Sequence, residues 1–134
     1  MKSNNHLTQL FKAAEVGDFE KCKVILEKNH DKNSPNQFGT TPLHVAAKNG
    51  HLEVTKLLLG KVQNKNPACH DGVTPLHMAA ENGHFHVFKF ILDSFRKNCN
   101  EDKNSPSKNC TTPFQIAAQN GHFDLCDFYL ENFS

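Results

Sequence analysis

Arginine is almost missing from this chain of 134 residues: Arg96 is the only one, and lysine supplies the other basic side chains. The planar guanidinium is the usual bidentate reader of phosphate and guanine, so its scarcity argues against nucleic-acid recognition. An excess of one charge is lacking too. With Lys and Arg at 15, Asp and Glu at 14 and a pI of about 7.7, no large field steers the chain onto nucleic acid or an anionic membrane. Long apolar runs are absent. The opening MKSNNHLTQLFKAAEVGDFEK has no stretch of signal-peptide length, and no window of about 18 apolar residues could span a bilayer. There is no P-loop, GxGxxG or GxSxG, hence no recognisable phosphate cradle or nucleophile elbow. The cysteines Cys22, Cys69, Cys99, Cys110 and Cys126 are odd in number and form no CxxC, the pattern of reduced thiols in a cytoplasmic or nuclear protein. With 22% charged and 37% apolar residues, the composition is that of a soluble protein of one domain, 1–134.

What the chain has in quantity is repetition. TPLHVAAKNGH (Thr41–His51) returns as TPLHMAAENGH (Thr74–His84) and as TPFQIAAQNGH (Thr112–His122). Pro42 and Pro75 are 33 residues apart, and Pro75 and Pro113 are 38 apart, five more than the period. The pairs Ala13-Ala14, Ala46-Ala47, Ala79-Ala80 and Ala117-Ala118 keep the register, as do Gly17, Gly50, Gly83 and Gly121. TQLFKAAEVGD near the N-terminus is therefore a degenerate first copy. The approximate repeats are 5–36, 37–69, 70–107 and 108–134.

Each copy reads as a helix, a tight turn and a second helix. Thr41, Thr74 and Thr112 suit the N-cap, where the hydroxyl accepts a free backbone N–H. Pro42, Pro75 and Pro113 follow at the first helical position, where a missing N–H costs nothing. Asn-Gly ends the helix, glycine taking the left-handed conformation. The second helix then carries an apolar stripe: Leu52, Val54, Leu57, Leu58 and Leu59 in one copy; Phe85, Val87, Phe88, Ile91, Leu92 and Phe95 in the next; Phe123, Leu125, Cys126, Phe128, Tyr129 and Leu130 in the last. One such pair cannot bury its own apolar face, so the pairs must stack.

A 33-residue period carrying T-P-L-H-x-A-A-x-x-G-H resembles the ankyrin repeat, and the likeness runs from about Asn5 to Phe133. It implies an all-α solenoid of helix-turn-helix units with short β-hairpin fingers, and a concave surface where repeated residues are scaffold and varying ones meet a protein partner. Those varying positions are Gln37, Phe38, Thr40, Lys48 and Asn49; His70, Asp71, Val73, Glu81 and Asn82; and Lys108, Asn109, Thr111, Gln119 and Asn120. The asparagines at the helix ends recur, which makes them the weakest members. Phe38 stands out as an aromatic at a fingertip, either a partner anchor or a contact to the neighbouring finger. The likeness also implies that Asn33, Asn66 and Asn104, each nine residues before the repeat proline, could be substrates of an asparaginyl hydroxylase; the plainer reading is a side chain bracing the hairpin.

Two departures from the pattern stand out. Gly39 and Gly72 sit three residues before their prolines, but the last finger has Cys110 there, so that finger is expected to turn differently, with Asn109 in the left-handed position. The five extra residues fall between Leu92 and the last finger. A stripe continuing from Phe88 through Ile91 or Leu92 to Phe95 predicts a second helix longer by about one turn, followed by a loop within KNCNEDKNSPSKN.

The histidines do not suggest a metal centre. His44 and His77 belong to TPLH. His51, His84 and His122 follow the turn glycine and recur at the repeat spacing, in a row rather than converging on one ion. His84 and His86, two apart, point to different sides of a helix. Cys22 and Cys126 lie in apolar stripes and read as core; Cys69, Cys99 and Cys110 lie in loops with no base beside them. The first copy has a polar outer face in Lys12, Glu15, Glu20, Lys21 and Lys23. The last has Cys126, Tyr129 and Phe133, which permits three readings: a tolerated cap, a piece of a longer array, or a docking face. The expectation is a monomeric, non-catalytic protein-interaction module in the cytoplasm or nucleus, with no cofactor, nucleic acid or membrane. The alternative is a structural spacer or cap within a larger multidomain protein or longer array.

Overall fold

The computed structural model describes residues 5–28, 35–61, 67–95 and 112–133. These form eight helices in four helix–turn–helix pairs: α1 (Asn5–Val16) with α2 (Phe19–Lys28), α3 (Pro42–Lys48) with α4 (Leu52–Lys61), α5 (Pro75–Glu81) with α6 (Phe85–Phe95), and α7 (Pro113–Gln119) with α8 (Phe123–Phe133). Within a pair the two helices pack together. Between pairs α1, α3, α5 and α7 touch in sequence as one layer, and α2, α4, α6 and α8 as a second.

The repeated letters explain the short helices. Thr41 is extended (φ −109°, ψ 165°) and its hydroxyl accepts the His44 N–H at 3.4 Å, while His44 Nδ1 accepts the Thr41 N–H at 3.1 Å. This is a capping box in which histidine replaces the usual Glu or Gln. Thr74 and His77 repeat it, and Gln115 performs it for Thr112 with its side-chain oxygen at 3.0 Å. The C-terminus is closed by a Schellman arrangement: the His51 N–H reaches Ala46 O at 3.0 Å and the Gly50 N–H reaches Ala47 O at 3.3 Å. The same pair of bonds joins His84 and Gly83 to Ala79 and Ala80, and His122 and Gly121 to Ala117 and Ala118. Gly50 has φ 73°, the left-handed conformation that motif requires. Ala-Ala-x-Asn-Gly-His is thus one unit of helix termination.

The core lies between the layers and between successive pairs. Leu10, Leu43 and Leu76 are enclosed on the first layer, and Leu26, Leu58, Val87, Phe88, Ile91 and Leu92 on the second. Each such side chain contributes roughly 1.5–3 kcal/mol by leaving water. The alanine pairs are buried in the first three repeats, where any larger side chain would push neighbouring helices apart. Cys22 and Cys126 are buried, in keeping with their place in the apolar stripes. Thr55 is a buried polar residue inside the α4 stripe; its hydroxyl donates to His51 O at 2.8 Å, so its burial is satisfied.

No strand occurs among the described residues, and the described parts of the first two fingers are tight turns. Each is held by two backbone bonds, too few for a ladder: Asn36 N–H to Thr40 O with Gly39 N–H to Asn36 O, and Cys69 N–H to Val73 O with Gly72 N–H to Cys69 O. α6 is described as far as Phe95 and has 11 residues against 10 in α4; the extra turn expected beyond it lies outside the described residues. The loop expected from residue 97 onward, Cys110 and Asn109 lie outside the described residues.

Candidate interaction surface

The surface in question is built from the finger turns and the C-terminal ends of α3, α5 and α7. In the first finger Asn36 organises the chain: its Oδ1 accepts the N–H of Phe38 at 2.9 Å and of Thr40 at 3.1 Å. Gly39 then turns with φ 81°. A Cβ on Gly39 would also lie 2.8 Å from the His70 ring and 3.0 Å from its backbone nitrogen, so the next finger is seated directly on this glycine. The two fingers are joined by the His70 N–H donating to Phe38 O at 3.0 Å. The Phe38 backbone is therefore scaffold, while its ring, 62% exposed, projects into solvent.

The second finger is also tied down. His44 Nε2 donates to Val73 O at 2.8 Å, and its Nδ1 accepts from the Thr41 N–H, which fixes the tautomer with the proton on Nε2. Burial lowers the His44 pKa; the Val73 carbonyl opposes this, nearby His77 adds to the lowering, and the Pro67 carbonyl opposes it weakly. The ring is neutral at neutral pH, as its acceptor role requires.

The other residues expected on the surface fall into three groups. Gln37, His70, Asp71, Lys48, Glu81 and Gln119 are exposed, and Thr40 and Val73 are half-buried. Asn49, Asn82 and Asn120 are exposed too, but each amide donates to the carbonyl four residues back, at 3.0, 2.9 and 3.0 Å, so they serve the helix ends. Lys108, Asn109 and Thr111, with Asn33, Asn66 and Asn104, lie outside the described residues.

The structure adds three residues that the repeat comparison passed over. Leu7, Thr8 and Phe11 of α1 face Pro35 to Phe38 across a groove of about 400 Å³. Phe11 stands where the later repeats have His44, His77 and Gln115. That exchange of a capping residue for an aromatic was the available signal.

The turn histidines have a different task. His51 Nε2 donates to Glu15 O at 2.8 Å, His84 to Lys48 O at 2.9 Å and His122 to Glu81 O at 3.1 Å. Each ring crosses to the preceding repeat and rests on its turn glycine. A Cβ on Gly17, Gly50 or Gly83 would fall 2.5–2.6 Å from the nearest ring atom. Each histidine thus satisfies a carbonyl at a helix end and locks two repeats together.

Nucleophilic chemistry finds no support in the buried thiols. Burial, helped by Asp18, pushes Cys22 up to about 11, and burial with Asp127 and Asp124 raises Cys126. Among the described residues no three His, Cys, Asp or Glu side chains come together as a metal site, and no helix is long and apolar enough to cross a membrane.

The arrangement is a stack of helix pairs, with α3, α5 and α7 capped in the same way. A family model described as ankyrin repeats (3 copies) matches residues 10–104, and the chain belongs to that family. The match ends before α7 and α8, which continue the stack as a fourth pair. No curated protein matches the chain as a relative. Ankyrin repeats are in general protein–protein interaction modules and are typically non-catalytic.

Proposed function

We propose that this chain, acting as one domain and as a monomer, binds a protein partner across its finger turns and the ends of α3, α5 and α7, without catalysis. The observation that carries this reading is Phe38: its backbone is held by Asn36 and His70 while its ring stands exposed at the α1 groove. A solvent-facing aromatic on a held backbone, beside a recess that mixes Leu7, Phe11 and Pro35 with Thr8, Asn36 and Gln37, is a candidate interface anchor. Lys48 and Glu81 put opposite charges at matching places on neighbouring repeats, which suits a partner of defined charge pattern. The turns at 35–40 and 67–73 act as the fingers of this surface. Free thiols at Cys22, Cys69 and Cys126 support a reducing compartment, cytoplasm or nucleus.

The test compares proteins retained from an extract of the source cells by the wild-type chain and by a folded Phe38→Ala, Glu81→Lys double variant. The expected outcome is a retained protein whose affinity for the variant falls by about 30-fold or more, the scale of losing one anchor. Equal retention by both would remove the surface from consideration and favour the spacer reading.

A further inference from the structure

The four repeats can be compared position by position, and three interfaces between them are already defined. At each, the preceding pair offers a small residue, a turn glycine, an aromatic or leucine after the turn, and a leucine on the second helix. These are Ala47, Gly50, Leu52 and Leu59 in the second repeat and Ala80, Gly83, Phe85 and Leu92 in the third. The following repeat covers them: Ala47 and Ala80 are solvent-free, and Leu59 and Leu92 are 3% and 0% exposed. The fourth repeat offers the same set as Ala118, Gly121, Phe123 and Leu130. Here Ala118 and Gly121 are exposed, Phe123 is 67% exposed and Leu130 48%.

The glycine shows what is missing. Around Gly17, Gly50 and Gly83 the turn histidine of the next repeat occupies the space a Cβ would need. Gly121 keeps the same left-handed conformation, φ 76°, yet among the described residues nothing lies within 4 Å of that space. The carbonyl matching Glu15, Lys48 and Glu81, which accept those histidines, belongs to exposed Gln119.

We propose that the outer face of α7 and α8 is a docking site for a further helix–turn–helix unit, whose turn histidine rests on Gly121 and donates to the Gln119 carbonyl. The occupant is specified by continuity with the three existing interfaces. A second copy of this chain does not meet the specification at its N-terminal end. Asp18 stands there in place of the turn histidine, where its carboxylate would face a carbonyl. Exposed Lys12 and Lys21 stand where the later repeats have Val45 and Val54, so stacking would bury charge.

The probe is the full chain extended after Ser134 by a copy of its own residues 64–95. Ser134 holds the place in the fourth repeat that Gln63 holds in the second, so the copy follows in register. Hydrogen exchange of α8 amides is measured with and without the extension. Protection is expected to rise about tenfold or more on extension, and that rise, measured against the unextended chain with the same residue at 121, is expected to be lost on Gly121→Ala or on His84→Ala within the copy. An extension that leaves α8 exchange unchanged overturns the proposal. Protection that survives Gly121→Ala overturns the histidine seat. Self-association of the unextended chain that disappears on Gly121→Ala would show that the occupant is a second copy after all. The test of the proposed interaction surface is separate, because it substitutes Phe38 and Glu81, neither of which belongs to the set Ala118, Gly121, Phe123 and Leu130.

Discussion

Leu92 and Leu130 hold the same place in the third and fourth repeats, as do Gly83 and Gly121, yet one of each is enclosed and the other meets solvent. Their own helices do not account for the difference. α6 and α8 each have 11 residues, follow the same turn and carry the same kind of stripe. What differs, among the described residues, is that α7 and α8 pack on the third repeat as a following unit. In a stacked array the energetic weight of a residue is set by its neighbour repeat, so identical letters carry unequal stability.

The largest test of that contrast is truncation of the paired leucines. Leu92→Ala is expected to destabilise the chain by about 2–5 kcal/mol, the range for an enclosed leucine with residual cavity. Leu130→Ala should cost about 1 kcal/mol or less, because about half of its area is already in water. Urea unfolding followed by circular dichroism measures both. Equal costs would mean that the outer face of α8 is covered in solution, which breaks the comparison.

A narrower test uses the glycines. Gly121→Ala should cost about 1–2 kcal/mol, the penalty of a left-handed alanine alone. Gly50→Ala carries that penalty and also drives a methyl into the His84 ring, at 2.5 Å, displacing it from Lys48 O. Loss of that bond adds roughly 0.5–1.5 kcal/mol. If His84→Ala is introduced first, the excess at Gly50 should vanish, and its persistence would assign the cost to something other than the ring.

Much of this was legible because the signals are local. Thr-Pro opens α3, α5 and α7 and Ala-Ala-x-Asn-Gly-His closes them, and both motifs act within six residues. Cys22 and Cys126 could be placed in the core from stripe position alone. The histidine locks were not legible, since each joins atoms 36–41 residues apart and depends on a glycine in another repeat. Thr55 was hidden by chemistry: a hydroxyl in an apolar stripe reads as exposed until the His51 carbonyl that satisfies it is placed. Of the proposed surface, variation between repeats marks the fingertips and helix ends. It does not mark Leu7, Thr8 and Phe11, because a comparison confined to the fingers and helix ends never reaches the N-terminal turns of α1.

The smallest effect separates His44 from Gln115, which make the same capping bond in the second and fourth repeats. His44 is solvent-free and neutral, its pKa lowered by burial, whereas Gln115 is exposed and cannot titrate. In the unfolded chain this histidine takes up its proton near the ordinary value of about 6.5. In the folded chain it does so only at lower pH. The unfolded state therefore binds more protons in between, and stability falls as pH drops below about 6.5, by at most about 1.4 kcal/mol per pH unit for one group. The contribution is complete above that pH. His44→Gln borrows the residue that position 115 already uses, and it should flatten the decline between pH 6.5 and 5 while lowering stability at pH 8, where the Val73 contact of the imidazole is intact. A slope unchanged by the substitution would move the acid sensitivity to another histidine and leave the second and fourth caps equivalent.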